Sequence, residues 1–410
     1  MRRRAVTTAV IAAAVAAVAF GAAAATAVAQ QATPALAADP LALDSAFRRA
    51  GPVLRWNAIG RDLVGRDLAV RQQRPPRATF YDGNNNTRLY ALVSGAQYEA
   101  LRAVADSGTA DAAASAAAAS VLGTVFPRER AWLAREVAAT RARQQAGGRS
   151  ETRLRAAENV GTRAARRWTA YAAAELRVAT WADSVPTGPD RWRGDEGPPS
   201  LAISLGLRPW FLTGRDQFRP PPPPPPGSAA FTEALGEVRA ATEQRTRAQT
   251  KASWAWSRNA ATLWSEIAGD VVLRQRLGEL EAARAFMYLN MALSDATIAC
   301  WDAKLTYWLP RPSAVDPTLD LAIGLPNFPA YPSAHATLFA AGAEVLGHLV
   351  PAEQAALDSV AREATASRVW AGVHYPFDNT AGTRLGRQVA EAAIAMLEAQ
   401  SPPDRRAMRR

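Results

Sequence analysis

Between residues 87 and 398 apolar side chains return every three to four positions, and no convincing apolar–polar alternation of the strand type interrupts them. Leu89, Leu92, Val93, Tyr98 and Leu101 fall on one helical face, and Ala-rich stretches at 110–124, 127–146 and 151–180 keep the period. Pro127 marks a helix start, and Ser150 followed by Glu151 has the make-up of an N-cap with an acidic first turn. The period resumes at 228–270, 275–304, 334–349, 352–372 and 377–398. Helices with one apolar stripe must bury it against other helices. The fold class is therefore all-α, one or two packed helical bundles.

The breaks in this pattern suggest how the chain is organised. Residues 1–29 begin with Arg2, Arg3 and Arg4, continue through an Ala/Val-rich run and end in Ala27-Val28-Ala29. That is the build of a secretory signal peptide, cut before Gln30, with an uncleaved membrane anchor as the alternative, so the protein is expected to be exported to the periplasm or beyond. No later segment approaches the ~18 uninterrupted apolar residues of a membrane span. Residues 30–85 read as mostly irregular, with turn signals at Arg74-Pro75-Pro76 and Gly83-Asn84-Asn85-Asn86. The stretch 185–227 is rich in Gly, Pro and Trp and ends in the run Pro220 to Pro226, expected to be a stiff polyproline II strap over the surface. The division expected is a leader 1–29, an N-terminal helical region 30–200, a Pro-rich connector 201–227, a catalytic helical region 228–400 and a basic tail 401–410.

Composition narrows the function classes. The chain has 410 residues, 49% hydrophobic and 21% charged, enough to bury a large core. Its net charge of +11 resembles that of a nucleic-acid binder, but Arg2–Arg4 and the tail 401–410 each carry three of those charges. The rest is ordinary, and no nucleic-acid partner is expected. A lone cysteine, Cys300, excludes an internal disulfide framework and multi-cysteine metal sites, and reads as a small buried residue. Only two lysines and three histidines occur, so their positions carry unusual weight.

Those scarce residues gather in three short stretches. Lys304 and Arg311 are seven apart, the arginine fixed between Pro310 and Pro312. Ser333, Ala334 and His335 open an apolar helix, with Ser333 as its N-cap and its first amides free to meet an oxyanion. Arg368 is followed by His374 and Asp378, four apart, with Pro376 able to start the helix that carries Asp378. A carboxylate beside a histidine can bond one ring nitrogen and leave the other free as nucleophile or ligand. Three cations, a hydroxyl, a helix N-terminus, two histidines and a carboxylate together suit an oxyanion of about two or three negative charges. His348, at the far end of the helix that His335 opens, reads as structural. Asp295 and Asp302, flanking the approach to Lys304, could pair with site arginines, but read first as helix-surface carboxylates without a specific task.

These stretches, Lys304…Arg311-Pro312, Pro332-Ser333-Ala334-His335 and Ser367-Arg368…His374…Asp378, resemble the tripartite signature of the phosphatidic acid phosphatase type 2 and vanadium-dependent haloperoxidase superfamily. Residues 228–303, with the approach Gln217-Phe218-Arg219-Pro220, also resemble soluble bacterial haloperoxidase-like members. One departure is Ala334, where that family usually has glycine: the backbone amide is retained, and the methyl narrows the pocket.

The resemblance implies an anion cage with two possible chemistries. In the haloperoxidase form the cage holds vanadate, vanadium is bonded to His374, and hydrogen peroxide oxidises a halide. In the phosphatase form His374 attacks the phosphorus of a phosphoester. Either way His335 would handle the proton and Asp378 would orient His374. Lys304, Arg311, Arg368, Ser333 and the Ala334 amide would hold the oxygens, and Trp301 and Phe328 would be pocket aromatics. The length and the second helical half favour a vanadate-dependent haloperoxidase, with an exported acid phosphatase as the alternative. Small-molecule substrates are expected in both cases.

Overall fold

Helices start earlier than the sequence pattern suggests. The structure, a computed structural model, describes residues 40–71, 86–176, 184–188, 190–194, 199–200 and 202–400. Within 30–85, read from sequence as irregular, it places two helices, α1 (Pro40–Arg49) and α2 (Pro52–Arg71). The pattern is weak there because α2 buries apolar groups on more than one side: Val53, Leu54, Trp56, Ile59, Leu63 and Val64 are all buried. The expected leader 1–29, the turn signal at 74–76 and the basic tail 401–410 lie outside the described residues.

The Ala-rich stretches follow as α3 (Asn86–Ala103), α4 (Ala110–Val125), α5 (Arg130–Ala146) and α6 (Glu151–Leu176). They pack largely through α3 on α4, α4 on α6 and α3 on α6. Leu89, Leu92, Val121, Leu122 and Leu154 meet there with Trp56 of α2. The apolar run at 228–270, read as continuous, is divided in three. The helices are α7 (Ala229–Glu243), α8 (Arg247–Ala255) and α9 (Ala260–Gln275). The divisions sit where side chains can satisfy free helix amides: Ser228, the Thr246–Gln249 capping box and Asn259 cap the three starts.

The long helix α10 (Glu279–Tyr307) is buried over most of its length and packs on both α3 and the later helix α12 (Ala334–Leu349). It ends at Trp308, whose φ of 54° turns the chain out of the helix. A short α11 (Pro312–Val315) follows, and α12 leads to α13 (Gln354–Trp370) and α14 (Pro376–Gln400). No strand occurs among the described residues, and none of their helices is long and apolar enough to cross a membrane.

Two glycines let one helix backbone approach another in this half. A Cβ at Gly382 would lie 2.5 Å from the Ser333 carbonyl oxygen, and one at Gly386 would lie 2.1 Å from that of Thr337. The backbone of α14 thus rests directly on the first turns of α12, and the Ser333 amide donates to the Asp378 carbonyl at 3.0 Å. Replacing Gly386 with Ala should lower unfolding stability by about 1–3 kcal/mol, the usual overpacking cost. Gly236→Ala on α7, where nothing lies within 4 Å, should be neutral or stabilising by up to about 1 kcal/mol. Urea unfolding of both variants, with unchanged m-values, checks the pair.

Candidate active site

Lys304 lies in the last turn of α10 with its side chain wholly buried. Its ammonium donates to the carbonyls of Pro329 and Ala330 at 2.7 and 2.9 Å. Arg311, held extended between prolines, donates through Nε to the Phe328 carbonyl at 3.1 Å and through Nη1 to the Val373 carbonyl at 2.7 Å. Its Nη2 is buried with no partner. The Phe328 ring lies 5.0 Å from both Lys304 Nζ and the Arg311 guanidinium carbon, so one aromatic ring serves two cations. Trp301 meets Phe328 edge-on at 5.0 Å, and its indole donates to the Ser200 carbonyl.

Arg368 comes from the last turn of α13. It donates to the Ser367 hydroxyl through Nε at 3.0 Å and Nη2 at 2.8 Å, and through Nη2 to the Ser253 carbonyl of α8 at 3.2 Å. Gly372 then reverses the chain with φ +77°, where a Cβ would be strained and would crowd Leu321. That turn delivers His374. Pro376 starts α14, and Asp378 in its first turn accepts from His374 Nδ1 at 2.8 Å and from the Tyr375 amide at 3.1 Å. A carboxylate accepts, so the ring proton sits on Nδ1. Nε2 keeps its lone pair, facing Arg311 Nη1 at 2.9 Å.

Ser333 caps α12 by accepting from the Ala336 amide, which leaves its hydroxyl hydrogen to donate elsewhere. The amides of Ala334 and His335 have no helical carbonyl to bond. His335 is half-buried, its ring stacked on Phe339 at 6.1 Å, with Nε2 buried and unpartnered.

Electrostatics sets this cluster apart. Among the described residues no carboxylate forms an ion pair with Lys304, Arg311 or Arg368, although all three are buried. Burial pulls the Lys304 ammonium down to about 7 and each guanidinium down to about 10, against a weaker upward pull on Lys304 and Arg311 from Asp378. Burial, reinforced by the nearby guanidiniums, holds His335 and His374 well below the usual imidazole range, so both are neutral at pH 7. Burial also raises the Asp378 carboxyl, while Lys304 and Arg311 oppose it. Fixed cations, an unpartnered guanidinium nitrogen and an imidazole lone pair aimed among them fit an oxyanion that also accepts a nitrogen ligand, as vanadate does.

Lys304, Arg311, His335, Arg368, His374 and Asp378 come together in this cluster, and Ser333 is tied to it through the Asp378 carbonyl, with Ala334 next to it at the start of α12. Trp301 and Phe328 are packed against the cations rather than free-standing. Asp295 and Asp302 depart from the sequence reading, because both are buried rather than on the surface. Asp295 accepts the Trp210 and Phe211 amides, and Asp302 pairs with Arg215 and Arg219. Each fills a structural need for which a surface reading has no place. His348 lies 3.8 Å from Glu398 at the end of α12, and Cys300 is buried, as expected. Sequence reasoning misses the carbonyls of Ser253, Phe328, Pro329, Ala330 and Val373 that hold the cations, since a backbone carbonyl leaves no mark on residue identity.

The second helical-bundle domain of VCPO, as a family model, matches residues 348–401, which include Arg368, His374 and Asp378. The structure is similar to that of the first bacterial vanadium-dependent iodoperoxidase, with a TM-score of 0.68 at 20% identity, covering 82% of this chain and 94% of that one. The chain has the fold of the vanadium-dependent haloperoxidases. Apo and holo forms of bacterial vanadium-dependent chloroperoxidase are similar too. They give TM-scores of 0.63 and 0.60 at 15% and 14% identity, covering 80% and 90% of this chain and 97% and 96% of theirs. No curated protein sequence matches. The resemblance drawn from the three stretches and the all-α class both agree with this haloperoxidase fold.

An anion beside Lys304 favours its charged form, so binding above pH 7 should take up a proton and affinity should fall as pH rises past about 7. Calorimetric titration with orthovanadate or phosphate at pH 8, in buffers of different ionisation enthalpy, should reveal that uptake. Lys304→Met should abolish it. Without anion, the lowered Lys304 value means the unfolded chain binds the extra proton between about 7 and 10.5, so this group's contribution to stability rises with pH over that window.

Proposed function

We propose that this protein is a vanadate-dependent haloperoxidase that uses hydrogen peroxide to oxidise a halide. The observation that carries the proposal is the cage: Lys304, Arg311 and Arg368 are buried with no carboxylate partner among the described residues, beside His374, whose Nδ1 is bonded to Asp378 and whose Nε2 carries a lone pair that faces Arg311. The haloperoxidase fold over most of the chain supports the peroxidase over a phosphoester hydrolase built on the same cage. Export, expected from residues 1–29, and a catalytic region at 228–400 are part of the same proposal.

His374 Nε2 would hold vanadium. Lys304, Arg311, Arg368, the Ser333 hydroxyl and the Ala334 amide would hold the vanadate oxygens. Vanadate bound there supplies the Lewis acid that activates hydrogen peroxide toward halide. The overall reaction is H2O2 + X⁻ + H⁺ → HOX + H2O, so the protein must manage protons as well as charge.

His335 suits the proton task. It is neutral, and its Nε2 has no partner to displace. It can take a proton from incoming peroxide and return it to a leaving oxygen, a role usually worth about 10²–10⁴ in rate. Asp378 keeps His374 in the Nδ1–H form, so that Nε2 stays a donor of electrons to the metal. Phe328, half-buried against two cations, would give the halide an apolar wall beside positive charge.

The deciding assay uses protein freed of phosphate, with hydrogen peroxide and bromide or iodide, and with or without orthovanadate. Vanadate-dependent halogenation of a dye is the expected outcome, with phosphate as a competitive inhibitor. Hydrolysis of a phosphoester, with vanadate only inhibiting, would replace the peroxidase reading by the phosphatase. His374→Ala should abolish turnover, and His335→Ala should lower it by roughly 10² or more. His348→Ala should leave it within about twofold, because that ring lies at the far end of α12 against Glu398.

A further inference from the structure

A run of prolines is a row of carbonyl acceptors with no amide donors of its own, and a polyproline helix makes no internal hydrogen bonds. Its carbonyls are therefore available to tie the strap to whatever donors face it. Three consecutive residues of this strap are tied. Arg219 forms a two-pronged pair with Asp302 at 2.6 and 2.9 Å. The Pro220 carbonyl accepts from the Tyr307 hydroxyl at 2.6 Å, and the Pro221 carbonyl accepts from the Tyr331 hydroxyl at 2.7 Å.

The far ends of these ties sit close in sequence to the anion cage. Asp302 and Tyr307 lie on α10, two residues before and three after Lys304. Tyr331 follows Ala330, whose carbonyl holds the Lys304 ammonium, and precedes the Pro332-Ser333 step into α12. The two tyrosine rings meet edge-on at 5.6 Å. One stiff strap thus grips both the helix end that carries Lys304 and the segment that carries its carbonyl partners and leads to Ser333. A phenol has a single hydrogen to donate, and each of these two tyrosines directs it to the strap.

We infer that Tyr307, Tyr331 and Arg219 are positioning residues, through which the polyproline strap holds Lys304 and Ser333 at the spacing a bound oxyanion requires. The inference rests on the proposed reading of the cage as a vanadate site. Buried cations repel one another, and without a bound anion the segments carrying them tend to separate. The strap opposes that separation from outside the cage, so oxyanion affinity depends on it although none of its residues belongs to the cage.

Orthovanadate titration of the full chain tests this, with thermal unfolding in the absence of vanadate as a second readout. The double variant Tyr307→Phe/Tyr331→Phe keeps both rings and removes only the hydroxyls. Its orthovanadate Kd should rise about tenfold, as for partners that orient metal ligands, with a nearly unchanged unfolding midpoint. Arg219→Gln should weaken vanadate binding in the same direction, and Arg219→Lys, which can still pair with Asp302, should restore most of it. An unchanged Kd in both the double variant and Arg219→Gln overturns the inference, and so does a lower unfolding midpoint with unchanged Kd, which would make the strap a stability element only. Failure of the unaltered protein to bind orthovanadate would overturn the vanadate reading itself and is recognised before any variant is made.

Discussion

Two guanidiniums and an ammonium, Arg311, Arg368 and Lys304, are buried in one place with no carboxylate among the described residues paired to any of them, and much of the surrounding architecture exists to make that tolerable. Taking an ion out of water costs several kcal/mol even after relaxation. Here the cost is offset by neutral dipoles: the carbonyls of Pro329, Ala330, Phe328, Val373 and Ser253 and the Ser367 hydroxyl accept from the three cations. A hydrogen bond to a charged group recovers about 1.5–3 kcal/mol without cancelling the charge. The positive field is therefore left for a ligand. A carboxylate in the same position would have stabilised the empty protein and neutralised the site.

Other buried ions in the chain are treated differently. Arg88 pairs with Glu175, Asp302 with Arg215 and Arg219, Asp316 with Arg239, and Glu353 with Arg274. Asp295 is satisfied by backbone amides. The cage breaks this pattern of pairing, and Arg311 Nη2 and His335 Nε2 have no partner there. The one carboxylate present, Asp378, is turned to His374 and the Tyr375 amide instead of the cations. It sets the histidine's tautomer, while its own backbone carbonyl anchors the amide of Ser333. A single residue in the first turn of α14 thus registers two of the three site segments against each other, and the glycines that follow allow the approach.

Much of this is legible along the chain because it is local. The Ser333 cap, the Pro376 start and the four-residue His374–Asp378 contact are properties of neighbouring residues, and each is found where the sequence places it. The scarcity of lysine and histidine makes the three stretches conspicuous. What the sequence hides is also physical in origin. The helix α2 escapes a pattern search because a helix buried on several sides loses its one-faced period. The division of 228–270 escapes it because caps at Thr246 and Asn259 compete with an apolar pattern that runs on past them. Asp295 and Asp302 mislead because a carboxylate on a helix looks the same in sequence whether it faces water or a buried partner.

The sequence by itself determined the all-α class, the identity of the ionisable groups in the three stretches, and the local geometry of each segment, because caps, turns and helical spacing act over a few residues. Only the tertiary structure decided that Lys304, Arg311 and Arg368 are held by carbonyls rather than carboxylates, that the lone pair of His374 faces Arg311, and that the polyproline strap grips the end of α10 and the approach to α12. Those contacts join residues up to 115 positions apart. Their partners are mostly backbone atoms, which every residue type shares, so only the folded chain reveals them.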